Sequence, residues 1–185
     1  MRVLGFDPGL SITGYGCVEG DSIRPSIVEG DSIRPSIVEG GVFRLTKSGT
    51  PVPPIGDRLV ELDRDVRELL DRVNPELVAI EGMFAHKDHP GTVIKMAHAR
   101  GVILLAARSA GIEVVELKPA EVKKAATGSG RATKEQMQSA VQSMFGLPEL
   151  PKPADLADAL AIAVCGLRRA QMGVLEIPRE AMIRR

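Results

Sequence analysis

The sequence predicts an α/β fold, a mixed five-stranded sheet with helices on both faces. Three observations point there. Apolar runs at residues 2–6 and 76–80 each exit at a single acid, Asp7 or Glu81, followed at once by Pro8-Gly9 or Gly82. Between them, Ile55–Val73 carries apolar residues at three- and four-residue spacing, the period of a helix with one buried face. The order of elements is three strands, helix, strand, helix, strand, helices. A hairpin meander followed by right-handed crossovers gives a mixed sheet covered on both sides.

Residues 2–6 are the central strand, and Pro8-Gly9 turns the chain after it. Residues 13–19 form a second strand, where Gly14 and Gly16 leave room for another backbone or a ligand to come close. A third strand contains residues 41–45. Between the second and third, residues 21–30 recur unchanged as residues 31–40. Two copies make no solenoid. A slip of ten preserves the two-residue alternation of a strand, so either copy fits the same face. One copy is expected in the strand and the other in a longer hairpin or mobile loop.

In the helix Ile55–Val73 the apolar stripe is Ile55, Leu59, Leu62, Val66, Leu69 and Val73, with acids and arginines assigned to a solvated face. Asn74-Pro75 stops it. A loop over 84–90 follows Glu81. Residues 91–110 form a helix that is apolar around much of its circumference, as in a core or a subunit interface. Residues 112–117 are a strand and 119–125 a short helix. Thr133 and Gln136 make a capping box for a helix ending at Phe145, closed by Gly146 and Pro148. Residues 154–170 are an alanine-rich helix able to lie close to a sheet. A basic tail from about residue 172 is expected to fray.

The 185 residues suit one domain with a sizeable core. Lys+Arg and Asp+Glu are both 24, so any basic surface must be local. Two cysteines, Cys17 and Cys165, make neither a disulfide framework nor a zinc site, which fits a cytoplasmic protein. No apolar run approaches the ~20 residues of a membrane span.

The chemistry lies in the acids. Asp155 and Asp158 are three apart in the first turn of the last helix and share one face. Each acid has an ordinary explanation alone. Asp7 is a turn aspartate, Glu81 a strand-end surface acid, and Asp155 and Asp158 suit the positive end of a helix dipole. Together, two strand ends and one helix start bring four carboxylates to one sheet edge. Hard divalent cations take such oxygen ligands. Two Mg²⁺ ions roughly 3.5–4 Å apart activate a water and steady the leaving oxygen of a phosphodiester. Lys118, Lys123, Lys124, Arg131 and Lys134 oppose only Glu121 and Glu135 within 118–135. That stretch reads either as a phosphate-tracking patch or as a solvated helix face. His86, His89 and His98 read as loop or surface residues.

Gly5-Phe6-Asp7-Pro8-Gly9, Thr13-Gly14-Tyr15-Gly16, Ala79-Ile80-Glu81, Ala99-Arg100-Gly101, Val122-Lys123 and Asp155-Leu156-Ala157-Asp158 together resemble the RuvC family of Holliday-junction resolvases. The resemblance spans nearly the whole chain, with one copy of the repeat surplus to it. It implies a ribonuclease-H-like fold, a homodimer, Mg²⁺ or Mn²⁺ as cofactor, and paired nicks at a four-way DNA junction. It implies that Asp7, Glu81, Asp155 and Asp158 are the catalytic metal ligands. Some members carry His at the position of Asp155. Phe84 matches an aromatic that stacks on junction bases, while residues 85–90 depart from the family. Lys123 and Lys134 match basic DNA-binding positions, and a branch-migration helicase complex is an implied partner. Two other functions are weighed: an actin-like nucleotide-binding module, from Gly5–Gly9 followed by Thr13-Gly14, and a DNA-binding protein without catalysis. The first needs two lobes, and the second needs the acids scattered or replaced.

Overall fold

The structure, a computed structural model, describes residues 1–20, 35–82 and 90–173, without the side chains of Pro90 and Thr92. Ten elements run in the order β1 (Arg2–Asp7), β2 (Ile12–Glu19), β3 (Ser36–Arg44), α1 (Ile55–Val73), β4 (Leu77–Glu81), α2 (Pro90–Ser109), β5 (Glu113–Leu117), α3 (Pro119–Thr127), α4 (Lys134–Phe145) and α5 (Ala154–Gln171). The five strands form one mixed sheet in the order β3-β2-β1-β4-β5. β1, β2 and β3 pair antiparallel, while β1, β4 and β5 run parallel.

Helices cover both faces. On one, α1 and α2 bury Leu62, Val66, Leu69, Ile103 and Ala106 against Leu4, Phe6, Val78 and Ile80. On the other, α3, α4 and α5 bury Val122, Met137, Val141, Leu160 and Val164 against Val3, Leu77, Ala79 and Val115. Thr133 accepts from the Gln136 N–H while the Gln136 side chain accepts from the Thr133 N–H, completing the expected capping box.

The small residues of α5 have a geometric reason. A side chain at Gly5 would run into the Ala159 carbonyl, and one at Gly14 into the Asp155 carbonyl. At Gly16 it would meet Leu160. The strand glycines thus admit the backbone of α5, not a ligand.

The repeat resolves in favour of its second copy. Residues 36–40 enter β3, while the first copy lies outside the described residues. The residues that follow the repeat decide this. Phe43 stacks on Tyr15 with ring centroids 4.7 Å apart. A Cβ at Gly41 would stand 2.6 Å from the Tyr15 hydroxyl. Slipping by ten would place Asp31 and Ile33 at those two positions, losing the stack and crowding Tyr15. Glu39 does not discriminate, because Glu29 would supply the same carboxylate to Arg72, which donates to it at 2.7 and 3.0 Å.

One assignment on α1 is corrected. Arg58, read as part of the solvated face, is 5% exposed, whereas Ile55 on the expected apolar stripe is 40% exposed. Position 58 lies one turn before Leu62 on the buried face, and its guanidinium Nη1 donates to a backbone carbonyl, of Leu10.

Candidate active site

β1 and β4 are parallel neighbours, so they exit the sheet at the same edge. Phe6 pairs with Ile80, which sets Asp7 and Glu81 side by side just beyond. Asp7 is also the last residue of β1 paired to β2, opposite Gly14. Because Gly14 lacks a side chain, the Asp155 carbonyl packs directly over it. That contact sets the first turn of α5, and with it Asp155 and Asp158, above the end of β1. Glu81 closes β4 opposite Leu117, and the next N–H, of Gly82, donates to the Leu117 carbonyl at 2.8 Å.

The electrostatics join the four acids into one unit. The Asp7 carboxyl is raised from 3.8 to about 7, first by burial and then by Asp158, Glu81 and Asp155, with Lys134 opposing. Glu81 is raised by burial and by Asp158, against Lys123. Asp158 is raised by burial and by Asp155, with Lys134 and Lys123 opposing. Desolvation and like charge both disfavour ionisation, and here they act together. Among the described residues, no group of three His, Cys, Asp or Glu side chains is arranged to hold an ion as it stands. The acids are linked through their fields without forming a closed ligand shell. Their chemistry nonetheless suits a hard cation: all are carboxylates, and the burial and like charge that raise Asp7, Glu81 and Asp158 are what a bound cation would offset.

The cations approach from the helical face. Lys123 on α3 and Lys134 at the start of α4 act on these carboxyls. Lys118, Lys124, Arg131 and Lys134 are exposed and Lys123 half-buried, and none of the five forms an ion pair among the described residues. Cations left unpaired on one side of an acidic pocket suit a phosphate better than an internal structural role does. Phe84, His86 and His89 lie outside the described residues, and His98 is exposed. Cys17 and Cys165 are unpaired and buried, and burial pushes their thiols up to about 12 and about 11.

Sequence reading missed Arg58, whose guanidinium Nη1 donates to the Leu10 carbonyl in the turn after Asp7 at 2.8 Å. The available signal was its position on the apolar face of α1.

A family model described as crossover junction endodeoxyribonuclease RuvC matches residues 3–166. The chain belongs to the RuvC family. A RuvC crossover junction endodeoxyribonuclease of Rhodopirellula baltica is 42% identical over 164 residues, covering 89% of this chain and 84% of the relative. The Thermus thermophilus RuvC structure aligns with a TM-score of 0.77 at 34% identity, covering 94% of this chain and 97% of that one. T. thermophilus RuvC in complex with a Holliday junction substrate aligns at 0.78 and 34% identity, covering 94% and 96%. The sheet order and helical layers are those of the ribonuclease-H-like fold that RuvC enzymes share. The actin-like alternative is not supported, since the matching relatives are crossover junction endodeoxyribonucleases. Among the described residues no helix is long and apolar enough to cross a membrane.

Proposed function

We propose that this chain is a Holliday-junction-resolving endodeoxyribonuclease whose catalytic acids are Asp7, Glu81, Asp155 and Asp158. The observation that carries the reading is the Asp7 carboxyl, raised to about 7 by burial and by the three other acids at the same sheet edge. A carboxyl so destabilised as an anion is costly unless a positive charge comes to it. Mg²⁺ or Mn²⁺ is the proposed partner of these oxygens, two ions per site, supplying Lewis acidity that lowers the pKa of water and steadies a leaving oxygen. The chain sets the acids on two strand ends and one helix, so closing a ligand shell around an ion would need only local adjustment of their side chains. Lys123 and Lys134 reach the same pocket and would orient the scissile phosphate, with hydrolysis leaving 5′-phosphate and 3′-hydroxyl ends. Lys118, Lys124 and Arg131 extend the contact along the DNA backbone. Phe84 is proposed to stack on an unpaired junction base, worth about 1–3 kcal/mol.

Two symmetric nicks call for two sites related by a two-fold axis, hence a homodimer. α2 offers the surface: Ile94 is 57% and Leu105 62% exposed, on one stripe with exposed Ala97, His98 and Gly101. A single ribonuclease-H-like domain, action on DNA in the cytoplasm, and cooperation with a branch-migration helicase complete the proposal. The decisive experiment incubates labelled four-way junction and linear duplex with the protein, with and without Mg²⁺. Paired nicks in the junction only, only with metal, are expected. Asp7→Asn is expected to bind the junction and leave it intact. Normal cutting by that variant would remove Asp7 from the reaction, and a monomer at micromolar concentration would remove α2 as the interface.

A further inference from the structure

Thr13 and Arg58 are the two buried polar side chains among the described residues, at 0% and 5% exposure. They come from different elements, β2 and α1, yet both spend their hydrogen bonds on the same short turn. The Thr13 hydroxyl donates to the Gly9 carbonyl at 2.6 Å and accepts from the Gly9 N–H at 3.3 Å. Arg58 donates to the Leu10 carbonyl at 2.8 Å. The next carbonyl, of Ser11, accepts from the Leu45 N–H at 3.0 Å. Three successive carbonyls of the segment that leaves Asp7 are therefore each held by a different part of the fold.

The use of Arg58 here is expensive. A buried guanidinium ordinarily pairs with a carboxylate, but Arg58 forms no ion pair among the described residues, and its Nε is buried without a partner there. Its charge is not what tunes the site: the charges acting on the Asp7 carboxyl are Asp158, Glu81, Asp155 and Lys134. What remains is geometry. Asp7 has lost its β4 partner, since the last paired residues are Phe6 and Ile80. Asp7 keeps its β2 partner Gly14, but on the β4 side the strand end is held only through the turn that follows it.

We infer that Arg58 is a positioning residue, holding the 8–11 turn so that the Asp7 carboxylate faces Glu81 and Asp158, with Thr13 as the second clamp. This rests on the reading of the four acids as the reactive site. Displacement of a reacting group by about 1 Å costs on the order of 100-fold in rate, so the loss should appear in turnover and not in substrate binding.

The test uses Arg58→Met, which keeps the stem and removes the donors, Arg58→Lys, which restores one donor, and Thr13→Val. Single-turnover cleavage of a four-way junction is measured against Mg²⁺ concentration. Junction affinity in EDTA, Ca²⁺-induced thermal shift and amide exchange at Leu45 are measured beside it. Expected for Arg58→Met are a 10- to 100-fold slower cleavage at saturating junction and a right-shifted Mg²⁺ dependence. Junction affinity should stay within twofold, the Ca²⁺ shift should shrink, and Leu45 exchange should quicken. Arg58→Lys should recover part of the rate, and Thr13→Val should show the same split if Arg58→Met fails to fold. Wild-type cleavage and Mg²⁺ dependence in a folded Arg58→Met, or in Thr13→Val where Arg58→Met does not fold, overturn the inference. So does parallel loss of junction affinity. Asp7→Asn separates the two ideas. If it still cuts, the site reading is wrong; if it is inactive while Arg58→Met cuts normally, only the positioning role is wrong.

Discussion

Replacing Asp7 by Asn should destroy cleavage and stabilise the metal-free protein at the same time. The Asp7 carboxyl lies at about 7 in the folded chain against 3.8 for an unperturbed aspartate, a difference of roughly three pH units. At ~1.4 kcal/mol per unit, ionising it in the folded state costs about 4 kcal/mol, an upper bound because neighbouring acids readjust. Asn has nearly the same shape and no charge, so it escapes that cost. The sign follows from proton linkage. The folded protein keeps its proton to higher pH than the unfolded chain does. Stability from this group is therefore full below about pH 4 and is lost as pH rises through about 7. In EDTA, wild-type unfolding free energy should fall between about pH 4 and 7 and level off above, while that of Asp7→Asn stays flatter. The two should converge only near pH 4, below which Asp7 is protonated in both states. At pH 8 the variant should gain up to about 4 kcal/mol, or on the order of 8–16 °C in Tm at ~2–4 °C per kcal/mol for a chain of this length. Added Mg²⁺ should restore the wild type and leave the variant unmoved, since only a folded site with its full set of acids repays binding. Urea titrations at fixed protein concentration across pH 4, 5, 6, 7 and 8 measure this directly. Equal stability of the two proteins at pH 8 in EDTA, or a gap that ignores pH, would refute the account of Asp7 as a buried, repelled carboxylate.

Deleting residues 21–30 should leave the fold and activity intact. It shortens the connection between Glu19 and Ser36 from 16 residues to 6, which by loop-closure entropy is worth about 0.9 kcal/mol of added stability, read as a higher urea midpoint. Gly14→Ala puts a Cβ into the Asp155 carbonyl. A loss of about 1–3 kcal/mol is expected by overpacking, with cleavage lost beyond what unfolding explains, checked by thermal melt and junction assay together. Lys134→Ala removes a cation that lowers both the Asp7 and Asp158 carboxyls. The basic limb of the metal-free stability profile should then steepen, and the salt dependence of junction affinity should drop by about one counterion. Leu105→Glu places a charge on the exposed stripe of α2. Sedimentation should show monomer, and junctions should be nicked on one strand at most.

Legibility in the sequence tracked periodicity and local chemistry. The bounds of α1 were readable to the residue because its stripe repeats over five turns and Asn74, in a left-handed conformation with φ 44°, ends it. The capping box at Thr133 was readable because it depends on residues three apart. The four acids were read as a group from two strand ends, one helix start and the family motifs, but the parallel adjacency of β1 and β4 on which their meeting depends is stated by no local pattern. The β3 register was open because the repeat preserves facing under a slip of ten, and Gly41 and Phe43 settle it only through contact with Tyr15. Arg58 was misread because charge was taken to mean solvent, when its stem occupies an apolar position and its head finds a carbonyl 48 residues away in sequence.

The same small residues that let the fold close also set the reach of the acids. Gly5, Gly14 and Gly16 on the strands, with Ala159 and Ala163 on the helix, allow α5 to rest on the sheet backbone. With ordinary side chains in that layer, the helix would stand farther off, at the ~10 Å spacing typical of packed layers. At such a distance water enters, and Asp158 would no longer weigh as heavily on Asp7 and Glu81 as it does here. The mutual repulsion that makes the pocket receptive to cations is thus a consequence of core packing. It follows that substitutions in the α5–sheet layer, several residues from any carboxylate, should act on metal dependence before they act on junction binding, because the basic residues of 118–134 proposed to meet DNA sit at the start of α3, on α3, on α4 and in the turn between them, not at the α5–sheet contact.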